Sequence, residues 1–404
     1  MYIEGILKKN IFFLFLVQFS NYIIPLISMP YIIKVMGISN FGIVALSLSI
    51  IQYINLIIDF GYSFVSVRRA SVSRESKSEL SKIFSITVVS KLIIFFPVSF
   101  IILIFAECAY DGEYSRIAAL IVLSGFFSVF DLAWLLQAIE KMVYLAIANV
   151  VSRFMYLGLL FIFVHDSSDL IITLLISIFG TILPILFSIY YVLKTKLVVF
   201  CKINLSEIKI VFSESLDIFL SNISISFYTT FNTILLGAIS GPVSVGYFAA
   251  ADKIRTAAQG LINPFQQAMF PRANKLIQTG ASLSTLINTY GKIIFLVGAT
   301  LSLGLLFLGG TFVDLYFGKN FSTTVDILKV LSLLPFIISV AIVFGPWWMA
   351  GRAKSKQFRT IYLQQSICHL IYAPVLIYLF PNVGVAISIV LTELLVAIRF
   401  ILHR

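Results

Sequence analysis

The chain has 404 residues, of which 60% are hydrophobic and only 12% charged, about half the roughly 25% usual in soluble domains. Its mean hydropathy is +1.03. No soluble core needs so much apolar sequence, so the chain reads as an all-α polytopic membrane protein. The net charge of +11 sits in short loops between apolar runs, the positive-inside pattern, which does not suggest a DNA-binding face.

Taken in order, the apolar runs predict twelve spans near 11–35, 41–64, 83–106, 115–138, 142–164, 170–193, 209–236, 245–271, 286–310, 325–349, 358–380 and 384–402. Each is about long enough to cross a bilayer as a helix. The first follows Lys8 and Lys9 and holds Pro25 and Pro30. It is too long for a signal peptide and lacks a small-residue cleavage site, so it reads as a retained membrane helix. With the N-terminus inside, the inner loops and flanks hold nearly all the basic residues. These include Arg68, Arg69, Arg74, Lys77, Lys82, Lys141, Lys194, Lys196, Lys202, Lys209, Arg272, Lys275, Arg352, Lys354, Lys356, Arg359, Arg399 and Arg404. The outer ones hold only Lys34, Arg116 and Lys319. That asymmetry places both termini in the cytoplasm. Residues 194–208 read as a cytoplasmic linker between a six-helix lobe at 1–193 and another at 209–404.

The halves align with each other. "SNYIIPLISMPYIIKVMGIS" from Ser20 matches "SNISISFYTTFNTILLGAIS" from Ser221, and the turn "GISNFG" (Gly37 to Gly42) matches "GPVSVG" (Gly241 to Gly246). Six spans per half preserve the membrane orientation, so the repeat is parallel, about an axis along the membrane normal.

Span 8 breaks the apolar pattern. Within "GYFAAADKIRTAAQGLINPFQQAMFPR" (Gly246 to Arg272), Asp252, Arg255, Gln259, Asn263 and Gln266 recur at helical spacing as one stripe. Pro264, with Gly260 before it, predicts a kink. A charge at membrane depth costs at least about 2.5–3.5 kcal/mol, so the stripe faces either a polar pathway or polar protein. Asp252 and Arg255 could also neutralise each other within the helix, which leaves Lys253 without a local partner. In the repeat, span 2 supplies a second stripe, Gln52, Asn55 and Asp59. Two stripes at corresponding places suit a central cavity between lobes; the alternative is two amphipathic helices buried in protein.

The pattern excludes an enzyme. His165, His369 and His403 have no Ser, Cys or Asp at nucleophile or metal spacing, and Cys108, Cys201 and Cys368 are far apart. There is no P-loop and no dinucleotide-binding glycine pattern, so neither cofactor nor metal is expected. The membrane-depth charges remain as candidates. Lys91, Arg153, Lys253, Arg255 and Lys292 are the basic ones, and Asp59, Asp131, Asp217, Asp252 and Glu393 the acidic ones. Five against five does not decide the sign, but Asp59, Asp131 and Asp217 fall near inner helix ends, whereas Arg153 falls near the midplane and Arg255 about as deep from the other side, so the middle of the membrane is more cationic than the count suggests. Such a site suits a diphosphate, with Arg as a fork for its oxygens. Lys292 lies where it can snorkel to the inner interface.

Three stretches carry a family likeness: "VQFSNYIIPLISMPYIIKVMGISNFG", "DFGYS", and "ISGPVSVGYFAAADKIRTAAQGLINPFQQAMFPR". With these the chain resembles the Wzx-type O-antigen flippases, polysaccharide transporters of the multidrug/oligosaccharidyl-lipid/polysaccharide exporter superfamily. The resemblance implies twelve helices in two six-helix lobes arranged as a MATE-like V in the bacterial inner membrane. It implies a substrate, an O-antigen oligosaccharide on undecaprenyl diphosphate, moved from the cytoplasmic to the periplasmic leaflet by alternating access. Carried over by position, Arg153, Lys253 and Arg255 would hold the diphosphate and sugars; the two stripes add Gln52, Asn55, Gln259 and Asn263 to the cavity lining, and the membrane-depth charges add Lys91. Asp59, Asp252 and Glu393 are the acids to weigh for ion coupling. Implied partners are membrane lipids, the O-antigen polymerase and the chain-length regulator, and no nucleic acid. A multidrug or small-cation antiporter on the same fold is the alternative.

Overall fold

The computed structural model describes the backbone of residues 2–109, 112–349, 351–352 and 355–403, and the side chains of 20–107, 112, 115–349, 351–352 and 357–403. The side chains of Lys8, Lys9, Cys108, Lys354, Lys356 and Arg404 lie outside that set. Regular structure among the described residues is helical, as apolar sequence in lipid requires, because a helix satisfies its backbone groups internally.

The helices are α1 (Tyr2–Asp59), α2 (Tyr62–Val72), α3 (Lys77–Ala109), α4 (Glu113–Val129), α5 (Ala133–Ala138), α6 (Met142–Phe163), α7 (Leu170–Lys194) and α8 (Leu205–Phe227). They continue as α9 (Phe231–Gly260), α10 (Ile262–Gln278), α11 (Leu283–Leu286), α12 (Lys292–Phe317), α13 (Ser322–Leu331), α14 (Leu334–Ile342), α15 (Ser355–Leu379) and α16 (Gly384–Leu402). Short π-helical segments at Ile287–Gly291 and Val343–Met349 link α11 to α12 and follow α14.

Eleven continuous stretches among the described residues are long and apolar enough to cross a membrane. The stretch Ser20–Asp59 has 40 residues, about 60 Å at about 1.5 Å each, or twice a hydrocarbon core of about 30 Å. It is two helices joined at Gly37, where φ 81 and ψ 166 are open only to glycine. Counting it twice yields the twelve spans expected from sequence; the 48-residue stretch Phe231–Gln278 counts once, because its part before Gly241 has too few residues to span alone. α9 is joined in the same way at Gly241, with φ 80 and ψ 175. These are the corresponding glycines of the two aligned turns, so the repeat recurs in the backbone. The expected kink falls between α9 and α10. α10 begins at Ile262, which places Pro264 in a first turn, where its missing N–H breaks no helical bond.

The chain packs as two compact units. One comprises residues 1–28 and 47–223. Here Phe60 and Gly61 leave α1 with positive φ (46 and 78), and Gly61 has Ile218 and Ser215 of α8 against it. The Phe60 ring stacks on Phe212 and Phe219 of α8, at 4.7 and 4.2 Å between centroids. Arg68 and Arg69 of α2 both bond Glu214 of α8, at 2.8 and 2.7 Å.

The other unit comprises 29–46 and 224–404. Trp347, Ile262, Leu286, Ile294 and Phe400 are fully buried at its centre. Just after each joining glycine the two related segments cross. A Cβ on Gly42 would run into the carbonyl oxygen of Pro242, and a Cβ on Gly246 would run into that of Ile38. The same two places in each repeat make reciprocal contacts, so the crossing has local two-fold character.

Candidate functional site

In the first unit, α6 carries Arg153 eleven residues from its start at Met142, about 16 Å along the axis. α6 lies close to α7: the Ser152 hydroxyl donates to the Gly180 carbonyl, and Gly180 sits beside Tyr156. The Tyr156 hydroxyl is engaged by Ser28 and Ser177. Arg153 is half-buried, and Tyr156 is its electrostatic neighbour. Among the described residues it forms no ion pair. A guanidinium at this depth without a carboxylate is a standing demand for an anion.

Lys91 presents the opposite case. It is 2% exposed, and its Nζ lies 2.9 Å from Asp59 Oδ1 and 3.1 Å from the Ser63 hydroxyl. Ser63 also donates to Asp59. The pair ties the end of α1, where the backbone turns through Phe60 and Gly61 into α2, to the middle of α3. Both charges are consumed by each other in this conformation. Of the remaining α1 stripe, Gln52 is exposed, and Asn55 is half-buried with its Oδ1 buried and without a partner among the described residues.

In the second unit, Arg255 donates through Nε to Asp252 Oδ1 at 3.1 Å and through Nη1 to Gln259 Oε1 at 2.6 Å; Nη2 also bonds Asp252. Three members of the α9 stripe therefore bind one another, the within-helix neutralisation that was one of the two alternatives. Lys253 is exposed and has no ion pair among the described residues. Asn263 is half-buried in the first turn of α10. Glu393 on α16 is half-buried and within electrostatic reach of Arg255. Each stripe is thus built into its own unit, Gln52, Asn55 and Asp59 in one and Asp252, Arg255, Gln259 and Asn263 in the other.

Sequence reasoning missed one constellation. His369 on α15 is fully buried and bonds Asn232 of α9 at 2.7 Å and Thr392 of α16 at 2.6 Å. Its partners lie on other helices, more than a hundred positions away in one case, so no local spacing could reveal them.

Residues 7–277 match the family model described as polysaccharide biosynthesis protein. A protein of Shigella dysenteriae named as an O-antigen transporter is 35% identical over 97% of this chain and 98% of its own length. Another so named, from Escherichia coli K12, is 30% identical over 96% and 94%. Among solved structures, the lipid II flippase MurJ in an inward closed conformation has a TM-score of 0.74 at 15% identity, covering 97% of this chain and 87% of that one. An inward-facing multidrug MATE transporter of the MOP superfamily has a TM-score of 0.68 at 14% identity, covering 94% and 93%. At such identities the structural likeness establishes the fold alone.

Proposed function

The chain belongs to the polysaccharide biosynthesis protein family, and from that premise we propose that it is a flippase for O-antigen oligosaccharides linked to undecaprenyl diphosphate. The relatives named as O-antigen transporters and the lipid II flippase of the same fold support a lipid-linked glycan as cargo. The cargo moves from the cytoplasmic to the periplasmic leaflet of the inner membrane by alternating access of two lobes, 1–193 and 209–404, joined by 194–208. Both termini face the cytoplasm. Membrane lipids, the O-antigen polymerase and the chain-length regulator are the partners in this account. The membrane-spanning transporter fold and the family leave no role as an enzyme.

The observation that carries the reading is Arg153, deep in a span and free of any carboxylate among the described residues. A diphosphate cannot enter hydrocarbon unaided, and a guanidinium offers it paired, charge-assisted hydrogen bonds worth about 1.5–3 kcal/mol each. Lys253, exposed and unpaired, is the second cation available. Arg255 and Lys91 join once their present partners, Asp252 and Asp59, release them. Gln52, Asn55, Gln259 and Asn263 bind sugar hydroxyls. Asp59, Asp252 and Glu393 take up coupling ions.

The test is restoration of surface O-antigen in a bacterial strain lacking its own flippase. Arg153→Ala, inserted at normal levels, loses restoration, and Arg153→Lys recovers part of it. Full restoration by Arg153→Ala would refute the assignment of the site.

A further inference from the structure

His369 is a buried imidazole with hydrogen-bond acceptors at both ring nitrogens. The Asn232 amide is oriented by its own Nδ2, which donates to the Tyr228 carbonyl at 2.8 Å. Flipped, it would set oxygen against oxygen, so its Oδ1 faces His369, and Nε2 must carry a hydrogen to use it. At the other nitrogen, Thr392 Oγ1 lies 2.6 Å from Nδ1 and donates to the Ser388 carbonyl at 2.6 Å. The Tyr372 hydroxyl reaches the same Thr392 oxygen at 2.6 Å. While Thr392 donates to Ser388, Nδ1 must also be a donor, and the ring is an imidazolium. When Thr392 turns its one hydrogen to Nδ1, the ring is neutral and Tyr372 still donates to Thr392. The pocket therefore satisfies both protonation states by rotating a single hydroxyl.

We propose that His369, held by Asn232 and Thr392, is a proton-binding site through which a transmembrane proton gradient drives transport. The coupling part of this proposal rests on the flippase reading; the proton-binding part does not. Uptake adds one proton from water at Nδ1. The Thr392 O–H leaves Nδ1 for Ser388, and no other bond changes. The groups facing the ring from neighbouring elements are Tyr228, at 6.4 Å between centroids, and Tyr372 on the same helix, at 5.5 Å. Glu393, next to Thr392 on α16, is in electrostatic reach of Tyr228, Tyr362 and Tyr372, and Arg255 of α9 acts on Glu393. Cys368 acts on Tyr372. None of the ring's own hydrogen-bond partners is charged, so the imidazolium is held by hydrogen bonds to two other helices, α9 and α16. Any movement parting α16 or α9 from α15 removes one of those acceptors. Proton affinity then differs between conformations, which is the condition for a gradient to do work.

The full-length protein in lipid nanodiscs, with His165→Asn and His403→Asn to leave a single histidine, is titrated by ring-nitrogen NMR. A second proton is expected on the ring as the pH is lowered, so that both nitrogens are protonated in the acid form. Thr392→Val, which keeps the ring but removes its Nδ1 acceptor, is expected to move that titration down by about one pH unit or more. In proteoliposomes carrying a lipid-linked oligosaccharide, His369→Gln is expected to lose the acceleration that an imposed proton gradient gives the wild type. A ring that stays neutral throughout, a titration indifferent to Thr392→Val, or a His369→Gln protein that answers the gradient like wild type would overturn the proposal. A wild-type protein that titrates as stated but moves no lipid-linked oligosaccharide would instead count against the flippase reading.

Discussion

Lys91 and Arg153 lie in the same compact unit, each on a membrane-spanning helix, yet they stand in opposite chemical situations. Lys91 has a carboxylate at 2.9 Å and a hydroxyl beside it, and is closed off from solvent. Arg153 is half-buried with a tyrosine for company. The difference teaches that depth does not make an intramembrane cation functional. What matters is whether the protein has already spent the charge on itself. Arg255 falls between the two, tied to Asp252 and Gln259 of its own helix but with both side chains of the ion pair partly open.

Four substitutions grade that contrast. The largest effect belongs to Lys91→Met, which takes the cation from a partly exposed Asp59 and is expected to cost about 1.5–3 kcal/mol of stability, read as a lower melting temperature in detergent. Adding Asp59→Leu restores most of the loss. A Lys91→Met protein that melts like wild type would erase the distinction. Next comes Arg153→Ala, expected to leave melting unchanged while leaflet translocation falls by roughly 10- to 100-fold, the equivalent of one lost charge-assisted bond. If melting falls instead, Arg153 is structural and the comparison fails in the other direction.

Arg255→Gln should show both effects in reduced form. Its stability cost is about 1 kcal/mol, suited to a partly exposed pair, and companion Asp252→Asn should recover it, as a double-mutant cycle would show. Lys253→Ala is expected to change stability by less than about 0.5 kcal/mol. Any loss of translocation in that variant would then report on cargo alone, measured beside its unaltered melting curve.

Much of this was legible in the chain. Hydrophobic runs and the loop asymmetry of lysine and arginine follow from the bilayer as solvent, so they could be read without coordinates. The twelve spans, the aligned glycine turns and the break ahead of Pro264 all appear in the structure. The polar stripes were legible as periodicity. Their outcome was not, because Asp252, Arg255 and Gln259 could equally have faced a partner helix or each other. Gly37 and Gly241 were visible as turn residues, but their matching backbone angles and the reciprocal crossing at Gly42 and Gly246 were not.

Sequence by itself determined what every residue owes to the membrane: helix, span, turn and repeat, all set by local hydrophobicity and backbone freedom. Tertiary structure alone decided which charges are neutralised and which remain. Lys91 meets Asp59 across helices, His369 finds Asn232 and Thr392 from two others, and Arg153 meets no carboxylate among the described residues. Pairing energy depends on the distance between side chains in space, and separation along the chain carries no measure of it.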